Sequence, residues 1–154
     1  MVLLDTNIFV IDRFFPRDTN YVANRALIVR LRKISCGFSV FSLFELCGLA
    51  SFNLSPVELR RWSYDFRRIY GVRVLEPLGL SKTSAAEWFA DFSRSMFGLL
   101  ERKISWGDAV ILQTAEDYDA KTILTWNKKH FQGRTAIKVL TPAEYLDESG
   151  LEQT

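Results

Sequence analysis

A chain of 154 residues has the length of one domain, and its 48% hydrophobic and 14% aromatic content excludes a disordered polymer. Twenty Lys and Arg against eighteen Asp and Glu leave a formal charge of +2, which permits nucleic-acid binding without the strongly basic footprint that would declare it. No apolar run approaches the ~18 residues of a membrane span, a single histidine (His130) excludes a His-rich zinc site, and no dinucleotide or P-loop glycine pattern occurs.

Short runs rich in Val, Ile and Phe alternate with longer stretches of helical period, the pattern of βα units around a parallel sheet. Residues 2–4 form the first predicted strand, apolar on both faces and therefore central. Asp5 ends it at once, with no basic region in front, so no secretory signal is read there. Residues 20–34 place Ala23, Leu27, Leu31 and Ile34 on one helical stripe. A second strand is expected over residues 38–41, stopping at Ser42. Cys36 and Cys47, which flank it without CxxC spacing, are read as buried free thiols.

Ser55-Pro56 followed by Glu58 is a capping box with proline at the first helical position, opening a helix on which Leu59, Trp62, Phe66 and Ile69 recur. Residues 72–75 are the third strand, and residues 84–100 a helix carrying Trp88, Phe92, Met96 and Leu99 at the same spacing. Residues 122–124 and 137–140 complete the strands, and the acidic tail after Tyr145 is expected to fray. Trp62, Trp88, Phe89, Phe92 and Phe97 supply more aromatic surface than a sheet of this size covers, so part of it is expected to pair with a second copy or a partner helix.

Ligands of an open α/β sheet bind beyond the carboxyl ends of the strands, and acids recur at those positions here. Asp5 stands where the first strand stops, Glu45 just past the second, and Asp108 follows Ser105-Trp106-Gly107 at a helix start. Asn127 lies just past the strand at 122–124. Each has a structural reading: Asp5 and Asp108 as caps or first-turn acids, Glu45 as the acid of a Ser42-x-x-Glu45 capping box, and Asn127 as a turn residue. Brought to one edge, the three carboxylates would repel one another unless a cation neutralised them, and hard oxygen donors select Mg²⁺ or Mn²⁺. Such a cation polarises a phosphodiester and activates water, which suits hydrolysis of that bond.

Together Leu3-Leu4-Asp5-Thr6-Asn7, Glu45, Ser105-Trp106-Gly107-Asp108-Ala109 and Leu124-Thr125-Trp126-Asn127-Lys128-Lys129-His130-Phe131 resemble the PIN-domain family, in particular VapC-like toxins, over nearly the whole chain. The resemblance implies a single PIN-like domain, a three-layer α/β/α sandwich with a central, mainly parallel sheet. It further implies a Mg²⁺- or Mn²⁺-dependent endoribonuclease, paired with a small antitoxin protein in a prokaryotic cytoplasm, with no membrane association. Asp5, Glu45 and Asp108 fall on the family's metal-binding acids, and Asn127 on a position where members carry Asp or Asn, so the fourth ligand is neutral here. Thr6, Asn7 and Thr125 match supporting positions. Lys128, Lys129 and Arg134 are candidates to hold RNA phosphates, with a solvated loop as the alternative. His130 precedes an apolar Phe131 and is read as structural.

Two other readings compete. An aspartate-nucleophile phosphatase would require a D-x-D pattern, whereas position 7 is Asn. A non-catalytic RNA- or protein-binding module would draw on the neutral Asn127, against three retained carboxylates.

Overall fold

The computed structural model describes residues 1–79 and 84–150. Five parallel strands, β1 (Val2–Leu4), β2 (Cys36–Ser39), β3 (Arg73–Leu75), β4 (Thr122–Leu124) and β5 (Lys138–Leu140), lie in the order β3-β2-β1-β4-β5. The expected central place of β1 is met: Leu3 is in register with Gly37 on one side and Ile123 on the other. Seven helices connect and cover the strands: α1 (Thr6–Phe14), α2 (Tyr21–Ile28), α3 (Val40–Ala50), α4 (Pro56–Tyr70), α5 (Ala85–Glu101), α6 (Trp106–Asp117) and α7 (Pro142–Ser149).

The alternation of side chains along the strands divides the core in two. Val2, Leu4 and Phe38 point into one cluster with residues of α1, α2, α4 and α7, while Leu3, Leu75 and Ile123 meet α5 and α6 in the other. The α/β/α sandwich is therefore present. Phe9 anchors the first layer, its ring 4.7–4.9 Å from those of Phe38, Phe66 and Tyr70 in edge-on geometry, an arrangement that adds electrostatic preference to plain burial.

Three elements and the burial of one thiol depart from the sequence reading. The helix expected over residues 20–34 stops at Ile28, and successive three-residue bonds (Arg30 N–H to Leu27 O, Lys33 N–H to Arg30 O) tighten the chain into a 3-10 turn that returns it beside β1. Strand β2 ends at Ser39, so Phe41 and Ser42 belong to α3; a short apolar run is compatible with either state, and the extended Ser39 at the helix start decides it. The acidic tail does not fray as far as residue 149. Thr141 and Glu144 form a capping box with Pro142 at the first position, and Leu146 is buried against the core. Cys36 is a buried free thiol as expected, but Cys47 is only half-buried, since α3 turns that face toward the surface.

The capping box of α4 forms as read from Ser55 and Glu58. Of the aromatic stripe, Trp62 is core; Trp88 and Phe92 stack with centroids 5.1 Å apart, and Phe89 and Phe97 remain 63% and 64% exposed. Among the described residues no helix is long and apolar enough to cross a membrane.

Candidate active site

Because β1 and β4 are neighbours in parallel register, the turns that follow them lie side by side at the carboxyl edge of the sheet. Asp5 leaves β1 as the N-cap of α1, accepting the Asn7 amide N–H at 3.4 Å, while Thr125 leaves β4 with its hydroxyl donating to Asp5 Oδ2 at 2.5 Å. Asp5 is thus the N-cap that the sequence offered, and its carboxylate stands at the carboxyl edge of the sheet. Asn7 ties the two turns together, its amide donating to Asp5 Oδ2 at 2.6 Å and Thr125 Oγ1 at 3.0 Å, and its Oδ1 accepting the Trp126 N–H at 3.3 Å.

Glu45 arrives from α3. The capping box expected with Ser42 does not form, because the helix begins three residues earlier and Ser42 is already inside it; the carboxylate is free to accept the Thr6 hydroxyl at 2.7 Å. Asp108 stands in the first turn of α6, where the N-cap is Ser105. The Ser105 hydroxyl donates to Asp108 Oδ2 at 2.5 Å. Gly107 leaves room between these acids: a Cβ there would sit 3.3 Å from Glu45 Oε1, tighter than most side chains tolerate.

Asp5, Thr6, Asn7, Glu45, Ser105, Asp108, Asn127 and His130 line one open pocket of about 330 Å³. Thr125 lies beneath it, fully buried. Each acid thus has one oxygen held by a hydroxyl, from Thr125, Thr6 and Ser105 respectively. Burial pushes the Asp5 carboxyl up to about 6, against the hydrogen bonds from Thr125 and the Asn7 amide, and the charges of Asp108 and Glu45 raise it further.

The donor set is hard oxygen throughout, which fits Mg²⁺ or Mn²⁺ by type. Among the described residues, however, no three His, Cys, Asp or Glu side chains are gathered closely enough to form a ready cage.

Asn127 opens a 3-10 turn without capping it, and its backbone N–H donates to Thr125 Oγ1 at 2.9 Å. The three basic candidates lie outside the pocket lining. Lys128 is paired with Glu144 at 2.7 Å, holding that carboxyl down to about 2, and Arg134 donates to the His130 carbonyl at 2.8 Å. Lys129 alone is exposed with its ammonium uncommitted.

Sequence reasoning missed Ser105 and His130 as site residues. His130 Nδ1 lies 3.2 Å from Asp108 Oδ2, so the structural reading of this histidine is incomplete. The signal available was its position three residues beyond Asn127, one turn along from a strand end. The supporting pair Asn24 and Trp126 was also invisible: Asn24, fully buried on α2, donates to the Ile8 carbonyl and accepts the Trp126 indole N–H at 2.9 Å, bracing the turn that carries Thr125 and Asn127.

No family model and no curated protein matches this chain. Solved structures do. The chain is similar to FitAcB from Neisseria gonorrhoeae (20% identity, TM-score 0.61, 92% of this chain and 98% of that one covered). It is similar to a toxin-antitoxin complex from Klebsiella pneumoniae (20% identity, TM-score 0.58, covering 92% and 98%). A third likeness is to FitAB bound to an IR36 DNA fragment (17% identity, TM-score 0.60, covering 93% and 96%). The three-layer fold expected from the sequence is the fold of these structures.

Proposed function

We propose that this chain, which has the fold of toxin-antitoxin structures, is a PIN-domain endoribonuclease of the VapC-like type, using Mg²⁺ or Mn²⁺ to hydrolyse RNA phosphodiester bonds. The observation that carries the reading is the pocket itself: three carboxylates, from the cap of α1, the middle of α3 and the first turn of α6, each steadied by a hydroxyl, with no lysine or arginine among the lining residues to neutralise them.

Asp5, Glu45 and Asp108 would hold the cation, with Asn127 as a neutral fourth donor. The cation supplies charge to a phosphate oxygen and acidity to water. Thr125, Thr6 and Ser105 orient the carboxylates, and Asn7 fixes the turns bearing Asp5 and Thr125 to each other. Lys129 and Arg134, whose guanidinium meets only a neutral carbonyl, keep their charge for an RNA phosphate, whereas Lys128 is paired with Glu144. The phosphatase alternative loses ground because Asn7, in the place of the second acid, commits its amide to Asp5.

In this reading the chain is the toxin of a cytoplasmic toxin-antitoxin pair. Its partner is a small antitoxin protein, and a second copy docks through the exposed aromatic side chains of α5, Phe89 and Phe97. The test is cleavage of total RNA by the purified chain with Mg²⁺ or Mn²⁺ and its suppression by EDTA. Absence of cleavage together with retained binding of RNA or an antitoxin would favour the non-catalytic module.

A further inference from the structure

The four tryptophans are used differently. Trp62 is core, the Trp126 indole N–H donates to Asn24, and that of Trp88 donates to the Leu78 carbonyl at 3.0 Å. Trp106 is 53% exposed, and its indole N–H has no partner among the described residues. One exposed apolar side chain needs no explanation by itself, but the place of this one does.

Trp106 is the first residue of α6, between Ser105 and Gly107, which both line the acidic pocket. The Ser105 cap, bonded to Asp108 in the same turn, fixes the backbone there. Trp106 itself is outside the lining, so its ring stands at the rim, on the side of α5. Phe92 meets it there at a centroid distance of 6.1 Å and an interplanar angle of 82°, and Phe92 is backed in turn by Trp88 at 5.1 Å and by Phe41 of α3 at 5.4 Å. The indole is braced by this cluster and otherwise open to solvent. A ring held in this way loses little freedom when a ligand covers it.

What covers the ring follows from the charge of the pocket. Three carboxylates with no lysine or arginine in the lining repel a polyanion, and a formal charge of +2 gives the chain little general attraction for one. A nucleic-acid strand whose phosphate reaches this pocket therefore needs contacts beside it. Lys129 and Arg134 offer charge from the segment after β4, and Trp106 offers an uncharged π face from the head of α6, with a free N–H at its edge.

We propose that Trp106 is a stacking platform for one nucleobase of a single-stranded RNA, the nucleotide beside the phosphodiester that reaches the acidic pocket. The proposal rests on the ribonuclease reading for the choice of RNA and for the scissile bond, whereas the stacked base is tested without cleavage.

Binding is read by anisotropy of labelled single-stranded RNA oligonucleotides in EDTA, with a parent chain carrying Asp5→Asn so that no strand is cut. Trp106→Ala is expected to weaken binding about 5- to 150-fold, the loss typical of one stacked base, and Trp106→Phe to keep most of the affinity. Trp106→Leu, which keeps apolar bulk without a π face, should match Ala. The slope of affinity against salt is expected to stay that of the parent, since no phosphate contact is lost. Oligonucleotides with one abasic nucleotide, placed at each position in turn, should reveal one position where the abasic loss is large in the parent and nearly absent in Trp106→Ala. Tyr64→Ala, which removes an exposed ring on α4, is expected to change none of this.

A parent that binds none of the strands, full affinity in Trp106→Ala or Trp106→Leu, a reduced salt slope, or no coupled position overturns the proposal. So does a Trp106→Ala chain that sediments as a smaller species than the parent, which would place the ring between two copies. Circular dichroism checks that the variants fold. Cleavage by the wild type with Mg²⁺ or Mn²⁺ is read separately. Coupling without cleavage keeps the stacked base and removes the ribonuclease, cleavage without coupling does the reverse, and a cut remote from the coupled nucleotide overturns the placement beside the pocket.

Discussion

Two concave regions of the molecule can be set side by side. The larger, about 840 Å³, lies between α2 and α4 and gathers Arg13, Arg25, Arg32, Arg61 and Arg68 with Asp12, Glu58 and Asp65. The smaller, about 330 Å³, gathers Asp5, Glu45 and Asp108 at the carboxyl edge of the sheet. In the first, charges of both signs are interleaved: Arg25 pairs with Asp12 at 2.9 Å and Arg68 with Asp65 at 3.1 Å, and Arg32 donates to the Arg68 carbonyl at 2.6 Å. In the second, like charges are held together by neutral hydroxyls. The difference teaches that size does not locate a site. Mixed and partly paired charges dilute the field of the groove, whereas a pocket lined by three carboxylates and no lysine or arginine keeps a field of one sign.

The strongest way to break this comparison is to remove charge from each region in turn. Asp5→Asn and Asp108→Asn are expected to lower RNA cleavage by roughly a hundredfold or more, as when a group that holds the nucleophile-activating cation is lost. Arg61→Ala and Arg13→Ala, in the groove, are expected to leave the rate within about twofold, since exposed charges contribute little. Circular dichroism would check that all four fold. A groove variant as inactive as Asp5→Asn would make the larger concavity part of the site.

A second test sharpens the electrostatic half of the contrast. Asp5 is 7% exposed, and its carboxyl is raised from 3.8 to about 6. Between those values the native state binds a proton that the unfolded chain does not, so stability falls as pH rises through the window and stays low above it. The full cost is about 3 kcal/mol at about 1.4 kcal/mol per pK unit. An asparagine that turns its oxygen to the Oδ2 position keeps the Thr125 hydroxyl and the Asn7 side-chain amide as donors and gives up only the long 3.4 Å cap from the Asn7 backbone N–H, so Asp5→Asn is expected to melt about 2–8 °C higher at neutral pH. The gain should shrink toward pH 4. Mg²⁺ should raise the wild-type melting temperature and not that of the variant, through binding to the native state alone. Calorimetry that finds the variant no more stable at pH 7, and the wild type indifferent to Mg²⁺, would remove both the repulsion and its remedy.

The same contrast marks what the sequence made legible. Asp5 and Glu45 could be picked out as acids following strand ends, which the βα pattern and the parallel register bring to one edge, and Asp108 as an acid at a helix start. The partners of these acids could not. Thr6 reaches Glu45 across 39 residues and Thr125 reaches Asp5 across 120, and such pairs follow from tertiary packing rather than local pattern. Ser42 and Glu45 carried a capping signature that failed because α3 starts at Val40, a boundary that a short apolar run does not specify. Thr141 and Glu144 carried a signature that succeeded and went unread behind an acidic tail. His130 was read as structural because its approach to Asp108 depends on a side chain from another helix, not on its neighbours.

The basic loop provides a smaller effect. Lys129→Ala is expected to weaken RNA binding several-fold and to reduce the slope of affinity against salt by about one ion. Lys128→Ala should leave that slope nearly unchanged, because its ammonium already serves Glu144. Binding isotherms at several salt concentrations, using a variant also carrying Asp5→Asn to prevent cleavage, separate the two. Equal losses would show that the Lys128–Glu144 pair opens for RNA.

Asn127 gives the smallest expected effect and the finest test of the pocket's charge. It lines the pocket, yet its side chain is not used to cap the turn it opens, and its backbone N–H is what engages Thr125. An amide oxygen can accept a hydrogen bond or donate a lone pair to a cation, but it adds no negative charge. One cation is therefore better matched to this pocket than two. Asn127→Asp should tighten Mn²⁺ binding or admit a second ion, because it adds a fourth carboxylate to the lining of the same pocket. Asn127→Ala should cost less activity than Asp5→Asn, since it removes an orienting group and keeps the backbone bond to Thr125. Calorimetric titration of the three proteins with Mn²⁺ reads the outcome. Identical affinity and stoichiometry for Asn, Asp and Ala would place residue 127 outside the site and leave its backbone, holding the Thr125 hydroxyl against Asp5, as its whole contribution.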